Sequence, residues 1–298
     1  MNVKRWLQKN TASLAGKTVA VTGATGGIGV ELCRQLASLG ASLILMDRNR
    51  DRSLALAERL KADYPAVFIR RIQTDLSSMV SVRRAAQQLQ LDPPDVFIHN
   101  AGAYSIPRVK CDSGWDAVFQ INFVAPYYLI RTTLPFMKEG ARVVAVGSIA
   151  HNYSRIDPTD IDFSSRRAAS KAYGNAKRYL MFSLYELFQK ETTVTLSITH
   201  PGITFTNITA HYPPWLFAII KHPMKVLFMK PRIAALSVLR GVFAPTARHE
   251  WIGPWLFDVW GRPTKRRLHT CSDTESAQIG AIAQSIWQQL TEKACYRE

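Results

Sequence analysis

The sequence predicts an α/β fold: a doubly wound parallel sheet with helices on both faces. Three observations carry this. Short apolar, β-branched runs alternate with longer stretches in which apolar residues recur at helical spacing. The first run breaks into a glycine-rich turn that opens a helix. Successive runs end on polar residues, which such a sheet gathers at one edge. No repeat, low-complexity tract or flexible linker divides the 298 residues, so a single domain over 1–298 is expected. At 47% apolar and 20% charged the composition is that of a globular chain, and disorder as the dominant state is excluded.

Residues 1–15 read as an N-terminal extension, basic but without an apolar h-region or a cleavage signal. From Lys17, KTVAVT is a strand that enters TGATGGIG (Thr22 to Gly29); Ile28, Leu32, Leu36 and Leu39 then mark a helix that Gly40 stops. Ser42 to Met46 is the second strand and reaches Asp47-Arg48. A helix over Asp51 to Tyr64, closed by Pro65, leads to a third strand, Val67 to Ile72, and on to Asp75-Leu76-Ser77. Ser78 to Gln90 is helical, and Val96 to Ile98 is a buried strand ending in His99-Asn100-Ala101-Gly102. Trp115 to Phe136 reads as one long helix bent at Pro126. Arg142 to Val146 is the fifth strand and delivers Gly147-Ser148. Ala168 to Lys190 is a long helix with Ala176, Leu180, Leu184 and Leu187 inward, and Thr193 to Thr199 is a sixth strand running into His200-Pro201-Gly202. Ala277 to Leu290 reads as a final amphipathic helix.

After Thr206 the character changes, and residues 207–270 read as a substrate loop and basic region. Tyr212 to Met229 is aromatic and aliphatic but interrupted by prolines and lysines, too short and broken to span a bilayer. The formal net charge is +16, and from Ile203 to Thr270 ten Lys/Arg face only two acids. A solvated basic surface and a membrane-surface or anionic-ligand role both fit this charge. Nucleic acid is not expected as a partner, because no binding motif accompanies it. Four scattered cysteines without metal-ligand spacing read as free thiols in a reducing, cytoplasmic setting, and no metal is expected.

The chemistry gathers at two places. In TGATGGIG, glycines Gly23, Gly27 and Gly29 let a pyrophosphate approach the backbone while the following helix points its N-terminal amides at it. Asp47, at the end of the second strand, suits the two hydroxyls of an adenosine ribose and favours NAD. Arg48 beside it would favour a 2′-phosphate, as in NADP. The position of Asp47 at the strand end itself tips the reading to NAD. Further on, Tyr173 and Lys177 lie four apart on one helix face, where an ammonium lowers a phenol's pKa towards neutrality and makes it a usable general acid/base.

With these residues the chain resembles the short-chain dehydrogenase/reductases. TGATGGIG is similar to that family's TGxxxGxG, Asp75-Leu76 to its D-L, HNAG (His99 to Gly102) to its NNAG, YGNAK to its YxxxK, and His200-Pro201-Gly202 through Thr206 to its PG…T. The 25-residue spacing from Ser148 to Tyr173, the segment after Thr206, and Trp251-Ile252-Gly253-Pro254 most resemble the retinol-dehydrogenase-like branch. The resemblance implies a Rossmann-type domain and an NAD(P)-dependent oxidoreductase acting on a lipophilic carbonyl or alcohol. It implies Tyr173 as general acid/base, Lys177 as its pKa-lowering partner, Ser148 as the group orienting the substrate oxygen, and Asn122 as the helix-kinking link from the lysine to water. Cofactor contacts are implied for Gly23, Thr25, Gly27, Ile28, Gly29, Asp47, Arg48, Asp75, Leu76, Asn100, Ala101, Gly102, Tyr173, Lys177, Pro201, Gly202, Ile203 and Thr206. His99 in place of Asn, and Gly147 where many members have Ser, are departures. A loop over Ile149 to Ser165 is expected to cover one side of the site. Pro213, Trp215, Leu216, Phe217, Ile219 and Ile220, with Tyr104, Ile106 and Tyr153 at the mouth, suggest a lipophilic substrate wall. Residues 212–232 could also make a peripheral membrane contact, and a homodimer is possible. The competing function is a dinucleotide-sensing protein with the same fold and no turnover.

Overall fold

The structure, a computed structural model, describes residues 1–191, 193–204 and 229–295. Strands β1 (Thr18–Thr22), β2 (Ser42–Asp47), β3 (Ile69–Gln73), β4 (Val96–His99), β5 (Arg142–Val146), β6 (Thr195–Thr199), β7 (Glu250–Leu256) and β8 (Trp260–Arg267) form one sheet. Their order is 3-2-1-4-5-6-7-8. All neighbours are parallel except β7 and β8, which pair as an antiparallel hairpin. The chain direction through the sheet reverses between β1 and β4, and ligands bind in such sheets at that switch point, outside the carboxyl ends of the strands.

The helices are α1 (Val3–Asn10), α2 (Gly27–Ser38), α3 (Arg50–Asp63), α4 (Met79–Leu91), α5 (Ala117–Phe119), α6 (Ala125–Thr133), α7 (Ala169–Phe188), α8 (Pro231–Phe243) and α9 (Asp273–Cys295). They split into two layers because successive strand residues point to opposite faces. Ala20, Val143 and Ala145 join Val82, Leu129, Leu180 and Ile279 in one core. Val19, Val21, Val144 and Val146 join Leu32, Leu36, Leu56 and Leu239 in the other. Both faces are covered, which is why the strands read as continuous apolar runs.

Three features depart from the sequence reading. The helix expected over Trp115 to Phe136 starts later and is broken. Asp116 caps α5 by accepting from Val118 N at 2.9 Å, a five-residue-repeat turn follows at Gln120–Val124, then α6, then a tight turn at Leu134–Phe136. Pro126 has no N–H to give the Asn122 carbonyl, and the Ala125 N–H reaches back to the Gln120 carbonyl instead. The irregularity therefore lies before the proline, at Asn122. Second, the N-terminal extension contains α1, capped by Asn2 and anchored by the buried Trp6, with Arg240 Nη1 donating to Asn10 O at 3.3 Å. Third, residues 229–270 supply α8, β7 and β8. Strand β8 is an edge whose exposed basic side chains and Pro263 hide it from an apolar-alternation test, and the same features discourage pairing with another edge.

Thr206 and the expected substrate wall, Pro213, Trp215, Leu216, Phe217, Ile219 and Ile220 among it, lie outside the described residues; of the 212–232 segment only 229–232 are described. Among the described residues no helix is long and apolar enough to cross a membrane.

Candidate active site

At the switch point a cleft of about 420 Å3 opens between the ends of β1, β2 and β4. Its glycine turn is built by close approach. Gly23 sits in the left-handed region (φ +65°), and a Cβ there would lie 2.9 Å from Ala101 Cα. A Cβ on Gly29 would lie 2.1 Å from the Gly23 carbonyl oxygen. Only glycine lets the turn, the first turn of α2 and the β4 exit pack together. Helix α2 opens on Gly26 and Gly27 with no side-chain cap and no acid in its first turn, leaving its amides available to an anion.

Thr22 organises the floor. Its hydroxyl accepts from Asn100 N and Ala101 N, both at 3.1 Å. With its lone pairs taken, its proton goes to His99 Nδ1 at 3.0 Å, which puts the ring hydrogen of the neutral imidazole on Nε2. Burial, with Lys177 nearby, holds His99 well below the usual histidine range. Asn100 Nδ2 closes the turn by donating to the carbonyls of Thr22 (3.2 Å) and Gly23 (3.0 Å). The histidine that replaces asparagine in HNAG is thus a buried bracket on the β1–β4 junction.

Asp47 faces both ways. Its Oδ1 accepts from Thr25 N and Thr25 Oγ1, each at 2.9 Å, tying the glycine turn to β2. Its Oδ2 is buried with no hydrogen-bond partner. Burial raises the carboxyl above its usual range against the pull of Thr25 and, more weakly, Ser53. Arg48, Asn49 and Arg52 line the cleft beside it, of which only Arg48 stood out in the sequence. Asp75 and Leu76 form the opposite wall; Asp75 Oδ1 accepts from Ser77 N and Oγ at 2.9 and 2.6 Å.

Beyond Gly102 the cleft gives way to the second cluster. A Cβ on Gly102 would lie 2.9 Å from Asn122 Oδ1 and 3.5 Å from Lys177 Nζ, so this glycine lets both side chains reach the strand ends. Asn122, fully buried, donates to Ala103 O and Val118 O at 2.8 Å and accepts from Ala103 N at 3.2 Å. Lys177 Nζ donates to Val146 O at 2.9 Å and lies 5.7 Å from the Tyr173 ring centre. Ser148, just beyond β5, faces the Tyr173 hydroxyl, and Tyr104 packs edge-on against the Tyr173 ring at 5.3 Å.

The protonation pattern differs from the one expected. Burial pushes the Tyr173 phenol up to about 12, opposed by the Ser148 hydrogen bond, and pulls Lys177 down to about 8. Desolvation of the charged form is the largest effect on both groups.

Behind Ser148 lies a support that sequence reading missed. His151 Nδ1 donates to Ser148 O at 2.6 Å, and its Nε2 accepts from Thr270 Oγ1 at 2.8 Å. Arg178, buried beside Lys177, makes a two-pronged pair with Glu275 at 2.7 and 2.6 Å and donates to Thr270 O and His151 O. A basic residue on the inward face of α7 was the available signal.

The cleft brings together Gly23, Thr25, Gly27, Ile28, Gly29, Asp47, Arg48, Asp75, Leu76, Asn100, Ala101 and Gly102. Ser148, Tyr173 and Lys177 adjoin it through Gly102 and Tyr104. Pro201, Gly202 and Ile203 follow β6, where Gly202 (φ +80°) is hemmed in by Val259 O and Pro254 Cγ.

A strand–glycine turn–helix cradle, Asp47 at the end of β2, and a Ser148, Tyr173, Lys177 and Asn122 cluster lie together along one sheet edge. Comparison places the chain accordingly: residues 17–216 match the short chain dehydrogenase family model, and the chain belongs to that family. It is 32% identical over 240 residues to a bovine (Bos taurus) dehydrogenase/reductase SDR family member 13, an alignment covering 78% of this chain and 63% of the relative's length. It is 26% identical to a human (Homo sapiens) polyprenol dehydrogenase over 94% of this chain and 84% of that one. Among solved structures, an uncharacterised protein of Mycobacterium paratuberculosis superposes with a TM-score of 0.75 at 25% identity, covering 95% of this chain and 96% of that one. The NADP complex of Pseudomonas aeruginosa RhlG superposes with a TM-score of 0.57 at 28% identity over 78% and 93%.

Proposed function

We propose that this protein is an NAD(P)-dependent oxidoreductase that interconverts a lipophilic carbonyl compound and its alcohol, and that it belongs with the retinol-dehydrogenase-like branch of its family. The observation that carries the reading is the convergence of Ser148, Tyr173, Lys177 and Asn122 at the switch point, beside a cradle shaped for a dinucleotide.

The residues fit the cofactor. The glycine turn and the α2 amides would take its pyrophosphate, Asp75-Leu76 its adenine side, and Asn100 to Gly102, Lys177 and Pro201 to Ile203 its nicotinamide half. Asp47, at the end of β2 and lining the cleft, suits the hydroxyls of an adenosine ribose and repels a 2′-phosphate; NAD is the preferred form on this ground. The nicotinamide supplies the hydride or accepts it.

The chain's own residues handle the proton. Ser148 Oγ, next to the Tyr173 hydroxyl, positions the substrate oxygen against the phenol. In reduction Tyr173 donates its proton to that oxygen; in oxidation the phenolate takes the proton from the alcohol. Lys177, when protonated, stabilises the phenolate.

The substrate class rests on Tyr104 and Ile106 at the cleft mouth and on the similarity to polyprenol and retinol dehydrogenases. Fluorescence titration with NADH and NADPH, then a panel of carbonyl compounds with the preferred cofactor, tests the reading. Tyr173→Phe should abolish turnover and leave cofactor binding intact; substantial activity in that variant would refute the assigned role.

A further inference from the structure

On another face, α1, the start of α8 and the β7–β8 hairpin enclose a groove. Arg5, Lys9, Lys230, Arg232 and Arg262 line it, and no acidic residue does. None of the five is paired with a carboxylate among the described residues. Beside this cationic groove the hairpin projects apolar side chains into solvent: Trp255 is 53% exposed, Leu256 39% and Phe257 83%.

The hairpin turn makes Phe257 hard to explain by folding. Val259 N donates to Leu256 O at 3.0 Å, and φ is +51° at Phe257 and +57° at Asp258. This is the primed turn that favours Asn, Asp or Gly at its centre, and a bulky aromatic residue is strained there. The ring gains no core burial in return. Trp255 is laid across the hairpin: a Cβ on Gly261 (φ +109°) would fall 2.1 Å from its Cδ1, so only glycine makes room for the indole. A side chain held against backbone preference and against water needs a third environment.

We propose that the β7–β8 hairpin and the adjoining groove are the docking face for an anionic lipid bilayer. Trp255, Leu256 and Phe257 enter the boundary between headgroups and acyl chains, while the five cations meet the anionic headgroups. An apolar prominence bordered by basic residues is the pattern of interfacial attachment. A nucleic acid would use the cations but has no complement for an exposed Leu-Phe tip. The same hairpin packs on the segment after β6, where a Cβ on Gly202 would lie 2.7 Å from Val259 O and 2.9 Å from Pro254 Cγ. A bilayer seated on the hairpin would therefore lie alongside that part of the site. The surface stands on its own observations and is independent of which substrate the enzyme takes.

The test is flotation of the full chain with phosphatidylcholine vesicles and with vesicles containing phosphatidylserine, at low and high salt. Binding to the anionic vesicles, weakened by salt, is expected. Phe257→Asn suits the left-handed turn and keeps the fold; it should weaken binding by about tenfold. Reversing Arg5 and Lys9 to Glu should weaken it by about fivefold per charge. NAD(P)H affinity measured alongside should stay unchanged in all three, and the thermal midpoint should not fall in any of them, rising in Phe257→Asn as the turn strain is relieved. The proposal is overturned if anionic vesicles are not bound at low salt, if Phe257→Asn binds them as the parent does, or if duplex DNA is bound through Arg5 and Lys9 while lipid is not.

Discussion

Replacing Lys177 by methionine should stabilise the cofactor-free protein while removing its activity. The ammonium is almost fully buried and, among the described residues, has the Val146 carbonyl at 2.9 Å as its acceptor and no carboxylate partner. Burial lowers its pKa from 10.5 to about 8. At 1.36 kcal/mol per unit this is a penalty of about 3 kcal/mol on the folded state wherever the lysine is charged in both states, that is, below about pH 8. The unfolded chain binds the extra proton between about 8 and 10.5, so native stability rises with pH through that window and the penalty is gone above it. Methionine of similar length removes the charge but forfeits the hydrogen bond to Val146, about 1 kcal/mol. The net gain is about 2 kcal/mol at neutral pH, or about 5 °C in Tm for a domain of this size. Thermal and urea denaturation of both proteins without cofactor, from neutral to alkaline pH, measure it. A variant no more stable than the parent at neutral pH, or a difference that does not shrink as pH rises from 8 to 10.5, would refute the reasoning.

Three further outcomes follow from the same geometry. Alcohol oxidation requires the Tyr173 phenolate, and with burial pushing the phenol up to about 12 its kcat/KM should climb about tenfold per pH unit above neutrality, while reduction shows no such climb; an oxidation profile already flat at neutral pH would show that the ternary complex lowers the phenol far below this value. Asp47→Asn keeps an acceptor for Thr25 but turns the unpaired buried oxygen into an uncharged amide, and should shift the NADPH-to-NADH affinity ratio by about tenfold towards NADPH; an unchanged ratio in titration would remove Asp47 from ribose recognition. Gly29→Ala sets a methyl 2.1 Å from the Gly23 carbonyl and 2.8 Å from that of Ala24, both backbone, so it should lower stability by about 3 kcal/mol and abolish cofactor binding, and a variant that binds normally would contradict the packing of the turn.

Legibility in the sequence followed locality. The cradle from Thr22 to Gly29, Asp47 at the end of β2, HNAG after β4, Ser148 after β5 and the Tyr173–Lys177 spacing are each set by a few neighbouring residues and a strand end, and a short window of sequence is enough to place each one. Elements defined only by distant partners were not legible in this way. Strand β8 acquires its pairing from β7 and presents Arg262, Lys265 and Arg267 as an exposed edge, so its pattern reads as a charge cluster. Helix α1 is held by one buried tryptophan and a bond from Arg240, more than 200 residues away. The bend read from Pro126 shows instead at Asn122, the position the family resemblance marked as helix-kinking, because a missing N–H acts on the turn it should have closed, before the proline.

By itself, then, the sequence determined the doubly wound α/β sheet and the places of the glycine turn, Ser148, Tyr173 and Lys177 relative to its strand ends, because apolar period, glycine content and four-residue helical spacing are local properties. Tertiary structure decided the rest. Desolvation, which depends on everything packed around a group, pushes Tyr173 up and Lys177 down when adjacency on a helix suggested a lowered phenol. The pairing of Thr22 with His99, the bracing of Ser148 by His151, Arg178 and Glu275, and the exposed tip at Phe257 each join or present residues far apart in the chain. No spacing encodes those distances; only the folded arrangement of the sheet and its two helical layers does.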